Sequence, residues 1–153
     1  MTVLIKNKKI TLNYEIVETY TGGMVLVGSE VKSLKNQNGK LDGAFLTIRK
    51  GPKGKPELWI KNMYIPSYQI KNSDVSTERE RKILVKRSEI NKIEKEMVGS
   101  RLTLAPISIN VLGNKIKIHF ALVRGKKKYD KREDLKKKAQ KRDSDRELKQ
   151  KMR

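Results

Sequence analysis

The chain has 153 residues, with 37 Lys and Arg against 17 Asp and Glu, which gives a formal net charge of +20. This length suits one domain of ordinary size plus an extension. So large a charge predicts a polyanionic partner, and an aromatic content of 5% favours a structured nucleic acid over a small acidic ligand. We therefore expect no small-molecule substrate.

Membrane and disulfide-rich proteins are disfavoured by what the sequence lacks. No apolar run approaches the roughly twenty residues of a spanning helix, and the N-terminus lacks the pattern of a signal peptide. The basic C-terminal segment lacks the apolar stripe of an interfacial helix, so no membrane is expected as a partner. Cysteine is absent, which excludes zinc fingers and fits a cytoplasmic protein. We expect no cofactor and no metal.

The N-terminal part of the chain predicts strands. Residues 1–12 are typical of a short edge element, and residues 13–21 alternate as a strand does. Gly22-Gly23 predicts a turn. Residues 24–34, mostly apolar and β-branched at first, then predict a second strand with one polar face.

The middle of the chain predicts a strand pair followed by helix. Residues 44–49 and 58–64 indicate two strands joined by the turn formers of 51–56. Beyond them, Thr77-Glu78-Arg79-Glu80 has the form of a capping box. We predict one helix near 78–87 and another near 88–98, ended by Gly99.

A hairpin with a definite register follows. Leu112-Gly113-Asn114-Lys115 is the signal of a two-residue turn. Pairing Leu112 with Lys115 places apolar residues opposite one another on one face and polar residues on the other. Pro106 lies where the parity shifts, which predicts a bulge or bend. The predicted pairs are Val111–Ile116, Ile109–Ile118 and Ile107–Phe120 on the apolar face, and Asn110–Lys117 and Ser108–His119 on the polar face.

Together these elements predict a mainly β protein, an OB-like antiparallel barrel over residues 1–123 with a few short helices. The polar hairpin face carries Lys115, Lys117 and His119, and it leads into the C-terminal tail, residues 124–153. A continuous basic track from barrel to tail is expected.

The tail is a polycation that cannot build a core. It holds 15 Lys and Arg against 6 Asp and Glu and almost no apolar residue. Glu133 with Lys137, and Asp134 with Lys138, are favourable i,i+4 pairs that give latent helicity. We expect the tail to be disordered when free and helical when RNA phosphates neutralise it.

An enzyme is disfavoured because the residues of a catalytic site are missing. His119 is the only histidine and lies beside two lysines on the hairpin face. The carboxylate pairs Glu78 with Glu80, and Glu94 with Glu96, are flanked by Lys or Arg, as in solvated ion pairs.

Three motifs in order carry a family resemblance: Gly28-Ser29-Glu30-Val31-Lys32-Ser33-Leu34-Lys35, then Arg79-Glu80-Arg81-Lys82-Ile83-Leu84, then Gly125-Lys126-Lys127-Lys128-Tyr129-Asp130-Lys131-Arg132. With them the chain resembles, over essentially its whole length, the small protein B family, the SsrA-binding (tmRNA-binding) proteins of bacterial trans-translation. The resemblance implies an RNA-binding, non-enzymatic protein that binds the tRNA-like domain of tmRNA and delivers it to stalled ribosomes, as a monomer in a 1:1 complex.

The resemblance also assigns site residues. The resemblance implies that the tail enters the empty mRNA channel near the small-subunit decoding centre. The residues that would face the ribosome are Gly125, Lys126, Lys127, Lys128, Tyr129, Asp130, Lys131 and Arg132. Tyr129 stands where many relatives have His, and it keeps the capacity to stack on a base. Leu84 is expected to face the core as a supporting residue. A second set faces tmRNA or supports the residues that do. The basic residues of the second motif and of the hairpin are added to it for their charge. The set is Glu30, Lys32, Ser33, Lys35, Arg79, Arg81, Lys82, Leu84, Lys115, Lys117 and His119.

Two alternatives stay open at this point. A ribosomal protein with a basic extension would have the same composition, and so would a nonspecific OB-type RNA-binding protein. The nonspecific binder predicts stacked aromatic residues on the barrel face, which only Trp59, Phe45 and a few Tyr supply.

Overall fold

The structure, a computed structural model, describes residues 2–66, 77–126 and 128–151, with the backbone alone for 128–131 and 147–151. Among these residues, no helix is both long and apolar enough to cross a membrane. The elements are β1 (Thr2–Lys6), α1 (Ile10–Asn13), β2 (Tyr14–Met24), α2 (Gly28–Lys35), β3 (Phe45–Lys50), a 3-10 turn (Pro52–Gly54), β4 (Pro56–Lys61), β5 (Arg81–Leu84), α3 (Arg87–Met97), β6 (Leu102–Leu112), β7 (Lys115–Gly125) and α4 (Lys128–Lys151).

Six of the strands close into a barrel, which confirms the predicted OB-like fold. The strands lie in the order β1-β6-β3-β4-β5-β2-β7, and β7 pairs again with β6. The closure between β3 and β6 is narrow, through Leu46 and Leu104. β1 lies outside the ring as an edge strand on β6, as predicted for the N-terminus. A continuous apolar core fills the interior, with Phe120 stacked on Tyr20 at 5.7 Å between ring centroids.

The hairpin register is confirmed from the turn to His119. Leu112 lies opposite Lys115, and Ser108 opposite His119. The register then shifts between Pro106 and Ser108, so Pro106, not Ile107, faces Phe120. The predicted bulge is therefore present, and it moves Ile107 out of the pairing that the unbroken register predicted. Ser108 and Asn110 on the polar face are buried, with the Ser108 hydroxyl donating to Asn110 Oδ1 at 3.3 Å.

Two predictions for residues 22–34 are wrong. Gly22 and Gly23 form no turn, because β2 continues through them to Met24. Residues 28–35 form α2 instead of a strand. Glu30, Ser33 and Leu34 are its buried positions, and their spacing of three and four residues is helical. The Val27 N–H donates to Glu30 Oε1 at 3.0 Å, which satisfies one free N–H at the helix start.

The first predicted helix of the middle region is also wrong. No capping box forms at residues 77–80, and Arg81–Leu84 is the strand β5. Arg81 and Ile83 point inward while Lys82 and Leu84 point outward. The second predicted helix is confirmed as α3, and the strand pair of residues 44–64 is confirmed as β3 and β4.

Candidate RNA interface

The outer face of β7 carries the predicted basic hairpin residues. Ile116 and Ile118 are buried in the core, so Lys115, Lys117 and His119 point outward. Lys115 is exposed, and the other two are partly exposed. The structure thus places these three side chains on one face, as the hairpin register predicted.

Two neighbouring strands extend this face around the barrel. Gly23 of β2 pairs with Lys117 on one side and with Leu84 of β5 on the other. A Cβ at Gly23 would lie 3.7 Å from Lys117 Nζ and 3.7 Å from Leu84 Cβ. Leu84 is 54% exposed, so the expectation that it faces the core is wrong. Because it alternates with buried Ile83, its side chain belongs to the outer surface beside Lys117.

An apolar cleft of about 360 Å³ lies at the end of this face. Lys115 and Lys117 line it together with apolar side chains, and Val25 and Val27 nearby in the chain are exposed apolar residues. Lysines beside an apolar floor suit an RNA strand, with phosphates on the lysines and a base against the apolar side chains. The lining residues are Gly23, Met24, Leu26, Val31, Leu84, Asn114, Lys115, Ile116 and Lys117.

Glu30, on the inner side of α2, holds two arginines inside the protein. It is 3% exposed, and its carboxylate accepts hydrogen bonds from Arg79 and, at 2.5 Å, from Arg81 Nε. Burial pushes the pKa of Glu30 upward, but the hydrogen bonds from Arg79, the Val27 N–H and Arg81 outweigh it and lower that pKa. Glu30 is therefore an ionised group that joins α2 to β5.

Arg81 has no exposed surface and uses its remaining donors on the backbone. It donates to the carbonyls of Met63 at 2.8 Å, Arg79 at 3.1 Å and Thr77 at 3.1 Å. Burial lowers the pKa of Arg81, while the Glu30 carboxylate opposes that shift. Such a buried guanidinium is a structural group and is not available to a phosphate.

The predicted tmRNA set therefore divides in two. Ser33 is buried and donates to the Pro66 carbonyl at 2.5 Å, so it supports the fold together with Glu30 and Arg81. Lys82 and Lys35 lie outside the core, Lys82 paired with Glu57 at 3.3 Å. The members with surface exposure are Lys32, Lys35, Arg79, Lys82, Leu84, Lys115, Lys117 and His119.

The tail begins at the end of β7. The N–H of Lys126 donates to the Asn13 carbonyl at 2.9 Å, and its ammonium pairs with Asp134 of α4. The hydrogen bond from Lys126 lowers the pKa of Asp134. Arg132 is exposed on α4. Lys127 and the side chains of Lys128, Tyr129, Asp130 and Lys131 lie outside the described residues.

A second group on the outer face is absent from the predicted site residues, since the sequence suggests Trp59 only for the nonspecific alternative. Trp59 of β4 lies opposite Lys82 of β5 and opposite Thr47 of β3. The Arg49 guanidinium carbon lies 4.3 Å from the centroid of the Trp59 ring. The alternation of β3 and β4 was the signal, since it places Arg49 and Trp59 on the same side as Lys61.

The closed barrel, the basic outer face and the cationic helix define a class: small basic barrels of the OB type, built to bind nucleic acid. The family follows from comparison with known proteins. Residues 4–150 match the family model described as "SmpB protein", and the chain belongs to this family.

Individual relatives agree with this assignment. The chain is 39% identical over 147 residues to the SsrA-binding protein of Mycolicibacterium gilvum, covering 95% of this chain and 86% of that one. It is 40% identical over 147 residues to the SsrA-binding protein of Lactococcus lactis, covering 95% and 92%. A solved chain from the structure "tmRNA-SmpB: a journey to the center of the bacterial ribosome" superposes with a TM-score of 0.66 at 31% identity, covering 85% of this chain and 92% of that one.

Proposed function

We infer that this protein binds the tRNA-like domain of tmRNA and delivers it to stalled ribosomes for trans-translation. The observation that carries the inference is the match to SsrA-binding proteins across barrel and tail together, 95% of the chain. A ribosomal protein and a nonspecific RNA binder, the two alternatives from composition, account for the charge but not for this match. The protein acts in the cytoplasm of a bacterium, as a monomer with one tmRNA.

The tmRNA surface that we propose is the outer face from β7 to β5. Its centre is Lys117 and Leu84, which lie side by side over Gly23. Lysines on this face contact phosphates, while the apolar cleft accepts unstacked bases. Glu30 and Arg81 act beneath this surface by fixing α2, and with it Lys32 and Lys35, against β5. Ser33 ties the same helix to the Pro66 carbonyl.

The tail has a separate role in this proposal. Within the tail, residues 124–153, Arg124 and Gly125 still belong to β7, and the part beyond them enters the empty mRNA channel of the small subunit. There α4, only marginally stable in the free protein, stays helical, and Gly125 to Arg132 contact the decoding centre. The charge supports this, since Lys and Arg outnumber Asp and Glu in the segment by 15 to 6. The protein has no catalytic role of its own, because it positions RNA for chemistry that the ribosome performs.

Deleting residues 127–153 tests this division of labour. Among the described side chains, the deletion removes no member of the buried core, and it leaves β7 intact to Gly125. We expect the shortened protein to keep most of its affinity for tmRNA, measured by filter binding, and to lose peptide tagging on stalled ribosomes. A matched variant, Lys117→Ala with the tail intact, should weaken tmRNA binding. Loss of tmRNA affinity in parallel with tagging after the deletion would contradict the proposal.

A further inference from the structure

The basic outer face does not end at β5. Lys82 of β5 lies opposite Trp59 of β4, and Trp59 lies opposite Thr47 of β3. Their inward neighbours Ile83, Leu58 and Leu46 are buried, so Lys82 and Trp59 share the outer surface with Leu84. The face therefore continues from Lys117 across adjacent strands to Trp59, a separation of three strand spacings, or roughly 14 Å measured perpendicular to the strands.

Trp59 is held in one orientation at the end of this face. Its indole N–H donates to Glu57 Oε2 at 3.2 Å. The Arg49 guanidinium carbon lies 4.3 Å from its ring centroid, within the range of a cation–π contact. A fixed indole beside a planar guanidinium offers two flat surfaces, on either of which a nucleobase stacks.

The charges around Trp59 favour an anionic ligand. Among the residues that the structure describes, Arg49, Lys50, Lys61 and Lys82 lie around it, against the carboxylates of Glu57 and Glu80. Both carboxylates are already paired. Glu80 lies 2.7 Å from Arg49 and 3.5 Å from Lys61, and Glu57 lies 3.3 Å from Lys82. The group thus carries a surplus of two positive charges.

An open cleft gives access to the pair. It has a volume of about 500 Å³ and lies between Trp59, Arg49 and the turn at Gly51 and Pro52. Volumes of this order accommodate a small ligand such as one nucleotide. Lys50 and the two carboxylates complete its lining.

We propose that Trp59 and Arg49 form a stacking site for one unpaired nucleotide of tmRNA, with its flanking phosphates on Lys61 and Lys82. The inference rests on the proposed function and extends the same surface by two strands. tmRNA is the source that we assign, because Lys82 and Leu84 connect the site without interruption to the face that contains Lys117.

Trp59 itself provides the measurement, since it is the only tryptophan in the chain. Titration of the full-length protein with the tRNA-like domain of tmRNA should quench Trp59 fluorescence at the concentrations where filter binding shows complex. Trp59→Ala should weaken binding roughly tenfold, the usual effect of removing one stacked base, whereas Trp59→Phe should keep most of the affinity. Tyr64→Ala, at a 37% exposed aromatic residue that follows β4 and pairs with Lys40, is the matched control and should bind as the parent does.

A second variant separates the loss of stacking from a loss of the fold in Trp59→Ala. Arg49→Ala keeps the fluorophore and the sheet, and it should lower the affinity several-fold while the quench persists. Full affinity in both Trp59→Ala and Arg49→Ala, or complex formation with no change in fluorescence, would overturn the stacking site and leave tmRNA binding intact. Quenching by ribosomes alone would overturn tmRNA as the source. Failure of the parent protein to bind tmRNA would instead remove the proposed function, and this inference with it.

Discussion

Among single residues, Glu30 has the largest structural role in the proposed site. One buried carboxylate faces two arginines, and Arg81 has no exposed surface. A buried ion pair need not stabilise a fold more than apolar packing would, but removing one partner leaves an uncompensated buried charge. Glu30 therefore fixes the position of α2 through a buried ion pair, without contacting RNA itself.

Replacing Glu30 with Gln should lower the free energy of unfolding at pH 7 by about 3 kcal/mol, because the buried guanidinium of Arg81 then lacks its counter-charge. Urea denaturation measures this change. Glu57→Gln is the matched control, since its pair with Lys82 is partly exposed, and it should cost less than about 1 kcal/mol. Equal losses in the two variants would contradict a special role for the buried carboxylate.

The same carboxylate predicts a dependence on pH. The folded pKa of Glu30 is lowered, so its contribution to stability is fully present above the unfolded pKa of about 4.3 and is lost as pH falls through the folded value. Thermal unfolding between pH 7 and pH 2 should therefore show a steeper loss of stability below about pH 4 in the parent than in Glu30→Gln. Parallel curves for the two proteins would show that Glu30 is not the group responsible.

Among the elements, β2 and α2 each contain a glycine whose replacement by alanine should change the stability of the protein, in opposite directions. A Cβ at Gly22 would lie 2.7 Å from Ile83 Cγ2 and 3.0 Å from the Leu84 carbonyl oxygen, so β2 and β5 have no room for it. At Gly28, the first residue of α2, the added Cβ would have no neighbour within 4 Å outside the adjacent backbone of its own helix.

Gly22→Ala should destabilise the protein by roughly 1–3 kcal/mol through overpacking. Gly28→Ala should stabilise it by about 0.4–1 kcal/mol, because the unfolded chain loses freedom at no cost in contacts. Thermal denaturation of the two variants beside the parent measures both signs. A stable Gly22→Ala variant would indicate that β2 and β5 separate more easily than their packing implies.

The helix α4 has little apolar surface for the barrel to bury. It contacts α1, and Lys126 pairs with Asp134 through a partly exposed salt bridge, a kind of contact that adds little stability. We therefore expect fast amide hydrogen exchange across residues 128–151 in the free protein and protection once it is bound to ribosomes. Strong protection of these amides in the free protein would contradict the marginal stability of α4.

For the whole molecule, electrostatics should dominate RNA affinity. The net charge of +20 is spread over barrel and tail, so binding of tmRNA should weaken steeply with salt. In a plot of log affinity against log salt concentration, Lys117→Ala should reduce the slope by about 1, as expected for one lost phosphate contact. An unchanged slope with weaker binding would mean that Lys117 acts by position and not by charge.

The parts of the site that sequence reasoning predicts correctly are those that local pattern controls. The turn at Leu112 to Lys115 determines which residues of β7 point outward, so the sequence alone assigns Lys115, Lys117 and His119 to one face. The predictions that are wrong depend on distant partners. Residues 28–35 have a strand-like alternation, yet Glu30 and Ser33 are buried because Arg81 and Pro66 lie opposite them. Leu84 points outward because Arg81–Leu84 is a strand, β5, in which side chains alternate between the two faces. The sequence around it has a helical pattern, which predicted a helix there instead.

By itself the sequence determined the class of protein, the hairpin register, the cationic tail and the family, since charge, alternation and motif spacing are local properties of the chain. Only the tertiary structure decided how the strands close into a ring, which members of the predicted set lie beneath the surface, and that Trp59 and Arg49 continue the basic face. Closure joins residues far apart in sequence through backbone pairing and burial, and such pairings leave no local periodic signal.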